Sequence, residues 1–362
     1  MSGPLAPSPL ADTAGLARWL QRALGASQLQ IDATSGSALN GASNDTMMVQ
    51  ASWRSGGTGQ SVQSEQSGGF VVRRPPTGPG LYHRYDLAGQ YATMKALVDT
   101  EVPVPPLVGY EPDPALLGAP FYVMGEVAGD APPDLPPYTQ VGWVLGLAPA
   151  EQTRMYAASI AMLARVHRLD ADQLDLGHLG PGSGCFGFHE QLMSALRWYE
   201  WAVTGQPNPV LDATLSWLID HEPVPGPQGL DWGDARVGNM LYVDLEPVCV
   251  LDWEMAAIGP PEVDLGWWLF MNRFHTVGME NSTLPGFPDD ATTLAMWEDA
   301  ARREARDISY YDVFAGFRFG IIVLRAARRM VDSGQLSPDQ SYERVNGATL
   351  LLADMLGLAE PS

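Results

Sequence analysis

The chain has 362 residues, 46% of them hydrophobic, and carries 42 acidic against 21 basic side chains, for a formal charge of −21. That length and apolar content fit roughly two domains of about 150 residues each. The lack of any basic run argues against nucleic acid or an anionic membrane as partner, because both demand clustered cations. The acidity itself reads either as solubility or as a cation-attracting pocket.

The two cysteines, Cys185 and Cys249, are far apart and match no metal spacing, as expected of unpaired thiols in a reducing compartment. The first 30 residues show no basic segment followed by an apolar one. No apolar run approaches the roughly 18 residues of a membrane helix. A cytoplasmic protein is therefore expected.

In chain order, "AGLARWLQRALG" places Leu16, Trp19, Leu20, Ala23 and Leu24 on one helical face, with Gly25 as its stop. Two strands follow, 46–53 and 69–75, joined by a Gly/Ser/Gln-rich loop. Residues 86–99 read as a helix, "VPVPPLVGYEPDP" as extended chain, and 119–129 as a further strand before a Pro/Gly-rich break near 130. Beyond 150 the pattern is helical in "AEQTRMYAASIAMLARVHRL", "HEQLMSALRWYEWAVTG" and "NPVLDATLSWLIDH", and again after 262. Only 228–254 interrupts it, where "MLYV" and "VCVL" are joined by "DLEP" as a hairpin.

That hairpin draws attention to Asp234, Asn239 and Asp252. Asn239 precedes its first strand and Asp252 follows its second, so pairing brings both to one end, with Asp234 one loop earlier. Two converging oxygen donors suit Mg²⁺, which completes its shell with water and phosphates, and a third acid nearby is free to accept a proton. The pattern fits metal-assisted phosphoryl transfer. Asp and Asn are also common turn residues, and loop chemistry alone explains a solitary D-x4-N.

Taken together, "WGDARVGN" and "VLDWEMAAIGPPEVDLGW" resemble the linked motifs of the aminoglycoside phosphotransferase and choline kinase-like superfamily, H-G-D-x4-N, D-W-E and G-x-P-x-x-D-L. "NGASNDTMMVQ", "FVVRRPP", "LGAPFYVMGEVAGD" and "LARVHRLD" extend the similarity over most of the chain. The "VVRRPP" and "PFYVM" blocks look closest to the kinase-like domains found beside certain acyl-CoA dehydrogenases and to their stand-alone bacterial relatives. The resemblance implies an α+β, two-lobed protein-kinase-like fold, with a nucleotide-binding lobe over 1–125 and a helical lobe over 126–362. It implies ATP and Mg²⁺ as cofactors and a small-molecule hydroxyl as acceptor, whether aminoglycoside-like, a hydroxyacyl thioester or another small alcohol.

Carried over by position, Asp234 becomes the catalytic base, Asn239 and Asp252 the magnesium ligands, and Asp264 the acid that holds the catalytic loop from below. Ser43 and Asn44 would lie over the phosphates, while Met124 to Val127, Glu126 included, would offer backbone groups to adenine. Three departures stand out. The only lysine, Lys95, lies in a helical window, so Arg73, with Arg74 as the second choice, is expected to grip the phosphates. Gln90 takes the place of the glutamate that pairs with that cation. Trp232 replaces the histidine before Gly-Asp, and its indole donates but cannot accept. Gln90 and Trp232 motivate an alternative, a catalytically silent nucleotide-binding module. His167 is expected to be a packed, hydrogen-bonded helix residue, and "RWYEW" to be core or the lining of an acceptor pocket.

Overall fold

Helical spacing of apolar residues produces α1 (Thr13–Ala23), which buries Leu16, Trp19 and Leu20 and is followed by Gly25 at φ +61°. The computed structural model describes residues 13–36, 44–55, 65–76, 78, 80–203, 207–224, 226–337 and 341–361. Strands β1 (Ala26–Gly36), β2 (Asp45–Ser55), β3 (Glu65–Arg74), β4 (Leu107–Glu111) and β5 (Phe121–Gly125) form an antiparallel sheet in the order β1-β2-β3-β5-β4. Strand β1 escapes the sequence reading because it is a polar edge strand, "ASQLQIDATSG", in which Leu29 and Ile31 are the only large apolar residues. One face of the sheet is sealed by α1, whose Trp19 ring meets Phe121 edge-on at 5.2 Å. Against the sheet also lies α2 (Leu87–Leu97), started by the Asp86 carboxylate, which accepts from Gly89 N–H at 2.8 Å.

The large lobe is built from α3 (Pro149–Arg168), α4 (Gly187–Val203), α5 (Pro209–Asp220), α6 (Glu262–His275), α7 (Asp290–Ala301), α8 (Ile308–Asp332) and α9 (Gly347–Leu356). Helices α6 and α8 pack closely at Gly266, where a Cβ would come within 2.4 Å of the Tyr311 backbone. The two lobes share a core in which Leu87, Met94 and Tyr122 join one cluster with Leu163, Trp232 and Trp268. Among the described residues no helix is long and apolar enough to cross a membrane.

Two small strand pairs sit in the helical lobe: β6 (Gly229–Asp231) with β9 (Ala257–Gly259), and β7 (Met240–Val243) with β8 (Glu246–Val250). The second is the expected hairpin. Asp244 and Leu245 at its turn take φ +50° and +71°, the left-handed pair that matches strand twist in a two-residue connection. Because Met240 faces Val250 and Leu251 N–H bonds to Asn239 O at 2.8 Å, the loops before and after the hairpin are tied at one end.

Candidate active site

Strand β6 delivers Asp234 to the cleft through a turn at Gly233, whose φ is +92° and whose missing Cβ would lie 2.1 Å from Met255 O. The Asp234 carboxylate is nearly buried and gripped by donors. Its Oδ1 accepts from Trp267 Nε1 at 2.8 Å and from Arg236 Nε at 2.9 Å, and its Oδ2 accepts from Asn239 Nδ2 at 2.7 Å. Arg236 also ion-pairs with Asp134, and although burial opposes its charge, the two carboxylates hold it protonated well above the ordinary arginine range. The arrangement fixes Asp234 in one orientation, the condition for a group that must meet an incoming hydroxyl at a set angle. With Nδ2 of Asn239 committed to Asp234, its amide oxygen is the atom left for a cation.

Asp252 follows β8 in a left-handed conformation, φ +60° and ψ +64°, a strained state for a non-glycine residue that concentrates at functional sites. Its Oδ1 receives Arg73 Nη2 from β3 at 3.1 Å, so an ion pair crosses the cleft between the lobes. Burial works against the Arg73 charge, but Asp252, with Tyr122 and Glu254, outweighs it and keeps the guanidinium protonated. Glu254 Oε2 lies 4.0 Å from Arg73 Nη2 and accepts from Asn44 Nδ2 at 2.7 Å, a second tie across the cleft. Arg73 Nε and Asn44 Oδ1 are buried polar atoms without a partner. An unmet cationic donor and an unmet acceptor beside a carboxylate fit an anionic ligand accompanied by its cation. Two oxygen donors, from Asn239 and Asp252, suit a Mg²⁺ that keeps water and phosphate in its shell. Among the described residues no group of three or more His, Cys, Asp or Glu side chains is arranged to hold a metal.

The remaining sequence candidates divide. Ser43 lies outside the described residues. Gln90 is buried on α2, but its Oε1 accepts from Tyr122 OH at 3.3 Å, while the guanidinium of Arg73 turns to Asp252. In the segment after β5, Glu126 N–H is already bonded to Gly69 O at 2.8 Å, and the N–H of Gly125 to Pro106 O at 2.7 Å. Met124 is paired within the sheet opposite Val71. These bonds leave the Val127 N–H to be considered for a nucleobase, and the Glu126 side chain accepts instead from Gln50 Nε2 at 2.8 Å. Arg236, Asp134, Trp267 and Glu254 were missed. Glu254 had a signal, the third letter of "DWE", and Arg236 lies two residues after Asp234 inside "WGDARVGN"; Asp134 and Trp267 are tied to the site by contacts 102 and 33 residues long, which spacing cannot reveal.

Beneath the loop, fully buried Asp264 on α6 accepts from Trp232 N–H and Gly233 N–H, both at 2.7 Å, and bonds His167 Nε2 at 3.0 Å. Trp297 Nε1 donates to His167 Nδ1 at 2.9 Å, so the imidazole proton sits on Nε2 and points to Asp264. Trp232 is fully buried and its Nε1 donates to Leu251 O at 2.8 Å, joining the Asp234 loop to the residue before Asp252. The indole thus acts as donor, as its chemistry allows. Trp232→Phe is expected to lower unfolding free energy by about 1–3 kcal/mol, because Leu251 O loses a buried partner. A urea midpoint equal to wild type would show that this bond carries no stability.

A cavity of about 580 Å³, lined by Tyr138, Asn272, Arg273, Phe287 and Asp290 among others, lies at the C-terminal end of α6, and none of Arg73, Asp234, Asn239 or Asp252 lines it. That cavity therefore does not mark the chemistry.

Human acyl-CoA dehydrogenase family member 11 is 29% identical to the chain over 261 residues, covering 69% of this chain and 32% of that protein, so the match spans about a third of that relative's length. A solved Ralstonia eutropha protein assigned as an aminoglycoside phosphotransferase superposes with a TM-score of 0.65 at 24% identity, covering 95% of this chain and 96% of that one. A thermostable mutant of aminoglycoside phosphotransferase APH(4)-Ia, solved with ADP and hygromycin B, has a TM-score of 0.55 at 13% identity, with coverages of 94% and 98%. These likenesses establish the two-lobed kinase-like α+β fold. The sequence profile that matches residues 40–282, more than half the chain, takes in Asp234, Asn239, Asp252 and Asp264 together, and by that match the chain belongs to the phosphotransferase enzyme family.

Proposed function

We propose that the chain is a small-molecule kinase, which transfers the γ-phosphoryl group of ATP to a hydroxyl in the presence of Mg²⁺. The observation that carries this reading is the joined frame of Asp234, Asn239, Asp252 and Arg73, with unpartnered buried polar atoms on the nucleotide side. Asn239 and Asp252 would hold Mg²⁺, which when bound neutralises charge on the phosphate oxygens. Arg73 holds the transferring group from the small lobe, and its fork supplies two parallel donors where lysine supplies one point charge. Asp234 accepts a hydrogen bond from the acceptor hydroxyl, points its oxygen at phosphorus, and takes the proton as the new P–O bond forms and the bond to ADP breaks. The lobes are taken as 1–125 and 126–362, and the free thiols of Cys185 and Cys249 fit a cytoplasmic setting.

The acceptor is an aminoglycoside-like molecule, a hydroxyacyl thioester or another small alcohol. A screen of hydroxylated acceptors scored by ADP release above the no-acceptor background tests the reading. Nucleotide binding with no turnover on any acceptor would instead support the silent module. Asp252→Ala is expected to raise the Mg²⁺ concentration needed for half-maximal nucleotide binding by about ten-fold or more. A titration superimposable on wild type would remove Asp252 from the metal site.

A further inference from the structure

Between β3 and α2 the chain leaves its own lobe. Residues 80–85 lie on the large lobe, where Trp198 Nε1 of α4 donates to Leu81 O at 3.1 Å and Arg325 Nη2 of α8 donates to Gly80 O at 3.4 Å. The Tyr82 ring stacks on Trp198 with centroids 4.9 Å apart at 27°. Tyr85 braces the segment from within, its hydroxyl accepting from the N–H groups of Leu81 at 2.8 Å and Tyr82 at 3.2 Å. Trp198 comes from "RWYEW", and Trp201 of the same stretch lies beneath Arg325, so this stretch is neither wholly core nor an open pocket wall. It is the floor beneath a strap.

The far end of Tyr82 reaches the chemistry. Its hydroxyl donates to Met255 Sδ at 3.5 Å, and Met255 O packs against Gly233, the residue before Asp234. Burial first, then the charges of Glu254, Asp234 and Asp252, hold the phenol proton well above the ordinary tyrosine range. From its place against Met255 the hydroxyl thus feels the carboxylates of Glu254, Asp234 and Asp252.

We infer that Tyr82 stands in for the acceptor: its ring covers the face of Trp198 on which the acceptor's carbon skeleton packs, and its hydroxyl occupies the approach of the acceptor hydroxyl to Asp234. The strap 80–85 must lift before an acceptor binds. Until then it shields the phosphoryl donor from water, which would otherwise accept the phosphoryl group and yield phosphate and ADP. The acceptor is accordingly a hydroxyl-bearing molecule with an apolar or flat face able to replace a tyrosine ring on an indole. This inference rests on the phosphotransferase reading above and goes beyond it in assigning a gate and a specificity surface.

The test is acceptor-free ADP release from Mg·ATP by wild type, Tyr82→Phe and Tyr82→Ala, with AMP-PNP affinity measured by calorimetry on the same preparations. Tyr82→Phe keeps the stack and loses the hydroxyl's contacts with Met255 and Glu254, so ADP release is expected to rise about five-fold. Tyr82→Ala loses both, and a rise on the order of thirty-fold is expected. Trp198→Phe, which loosens the strap from the other side, guards against a folding defect at position 82 and is expected to move ADP release in the same direction. AMP-PNP affinity stays at the wild-type value throughout. ADP release equal to wild type in all three variants, with AMP-PNP binding intact, overturns the gate and leaves the phosphotransferase reading standing. Phosphate found covalently on Tyr82 also overturns it, since Tyr82 would then be an acceptor itself. Failure of wild type to bind AMP-PNP overturns both.

Discussion

Asp234→Asn is expected to reduce turnover by a factor on the order of 10²–10⁴ while nucleotide affinity stays near the wild-type value. The carboxylate contacts Trp267, Arg236 and Asn239, all on the large-lobe side, and the small-lobe cation Arg73 is paired with Asp252 instead. Removing the Asp234 charge thus disturbs the acceptor side and leaves the nucleotide side in place. The amide is isosteric but cannot take a proton, and its NH₂ faces at least one donor where the carboxylate had an acceptor. Steady-state ADP release with an active acceptor, together with direct nucleotide titration, separates the two effects. Full turnover in the variant would remove Asp234 from the chemistry. An equal fall in turnover and nucleotide affinity would make its role structural.

Asp264→Ala is expected to cost about 3–5 kcal/mol of stability, because it strands buried donors on three partners at once. Trp232 N–H, Gly233 N–H and His167 Nε2 all converge on this carboxylate, which has no solvent exposure. Close by, the Asp231 carboxyl is pushed well above the ordinary aspartate range by burial and by the Asp264 charge, and Gln191 Nε2 bonds its Oδ2 at 3.0 Å. The substitution relieves that repulsion, which offsets part of the loss and keeps the expected value at the lower end for a severed buried network. Asp264→Asn retains one acceptor oxygen and should lose less than Asp264→Ala. Urea unfolding of the two variants checks the order; an Asp264→Ala midpoint equal to wild type would show that the loop is held by other contacts. Turnover should fall with stability, since Gly233, with its close approach to Met255 O, sets the position of Asp234.

The hairpin β7–β8 was legible because its information is local: two apolar runs of strand length joined by the short link "DLEP", of which the structure keeps only Asp244 and Leu245 as the turn and gives Glu246 and Pro247 to β8. With it came the placement of Asn239 and Asp252 at one end, now tied by the Leu251–Asn239 bond. The expectation for His167, packed and bonded in a helix, also holds, with its partners Asp264 and Trp297 supplied by distant segments. Strand β1 was not legible, since two apolar residues in an edge strand leave no period to read. The partner of Arg73 could not be read either. Position suggested Gln90, yet a neutral amide competes poorly for a buried guanidinium against the carboxylate of Asp252, and Tyr122 takes the amide. Tyr82 carried no motif at all; it became notable only when the strap lay across Trp198.

By itself the sequence determined the order of most elements, β1 and the β6–β9 pair apart, the two-lobed architecture through its linked motifs, and the residue types available for phosphoryl transfer. These depend on periodicity, turn preference and short-range spacing, which neighbouring residues encode together. Only the tertiary structure decided which carboxylate meets which cation, that Trp232 bridges two loops by donating, and that a small-lobe strap covers the large-lobe site. Such pairings join segments up to 245 residues apart, as Arg325 and Gly80 show. They are selected by burial, because a charge or N–H withdrawn from water must take whatever partner the folded chain brings within reach.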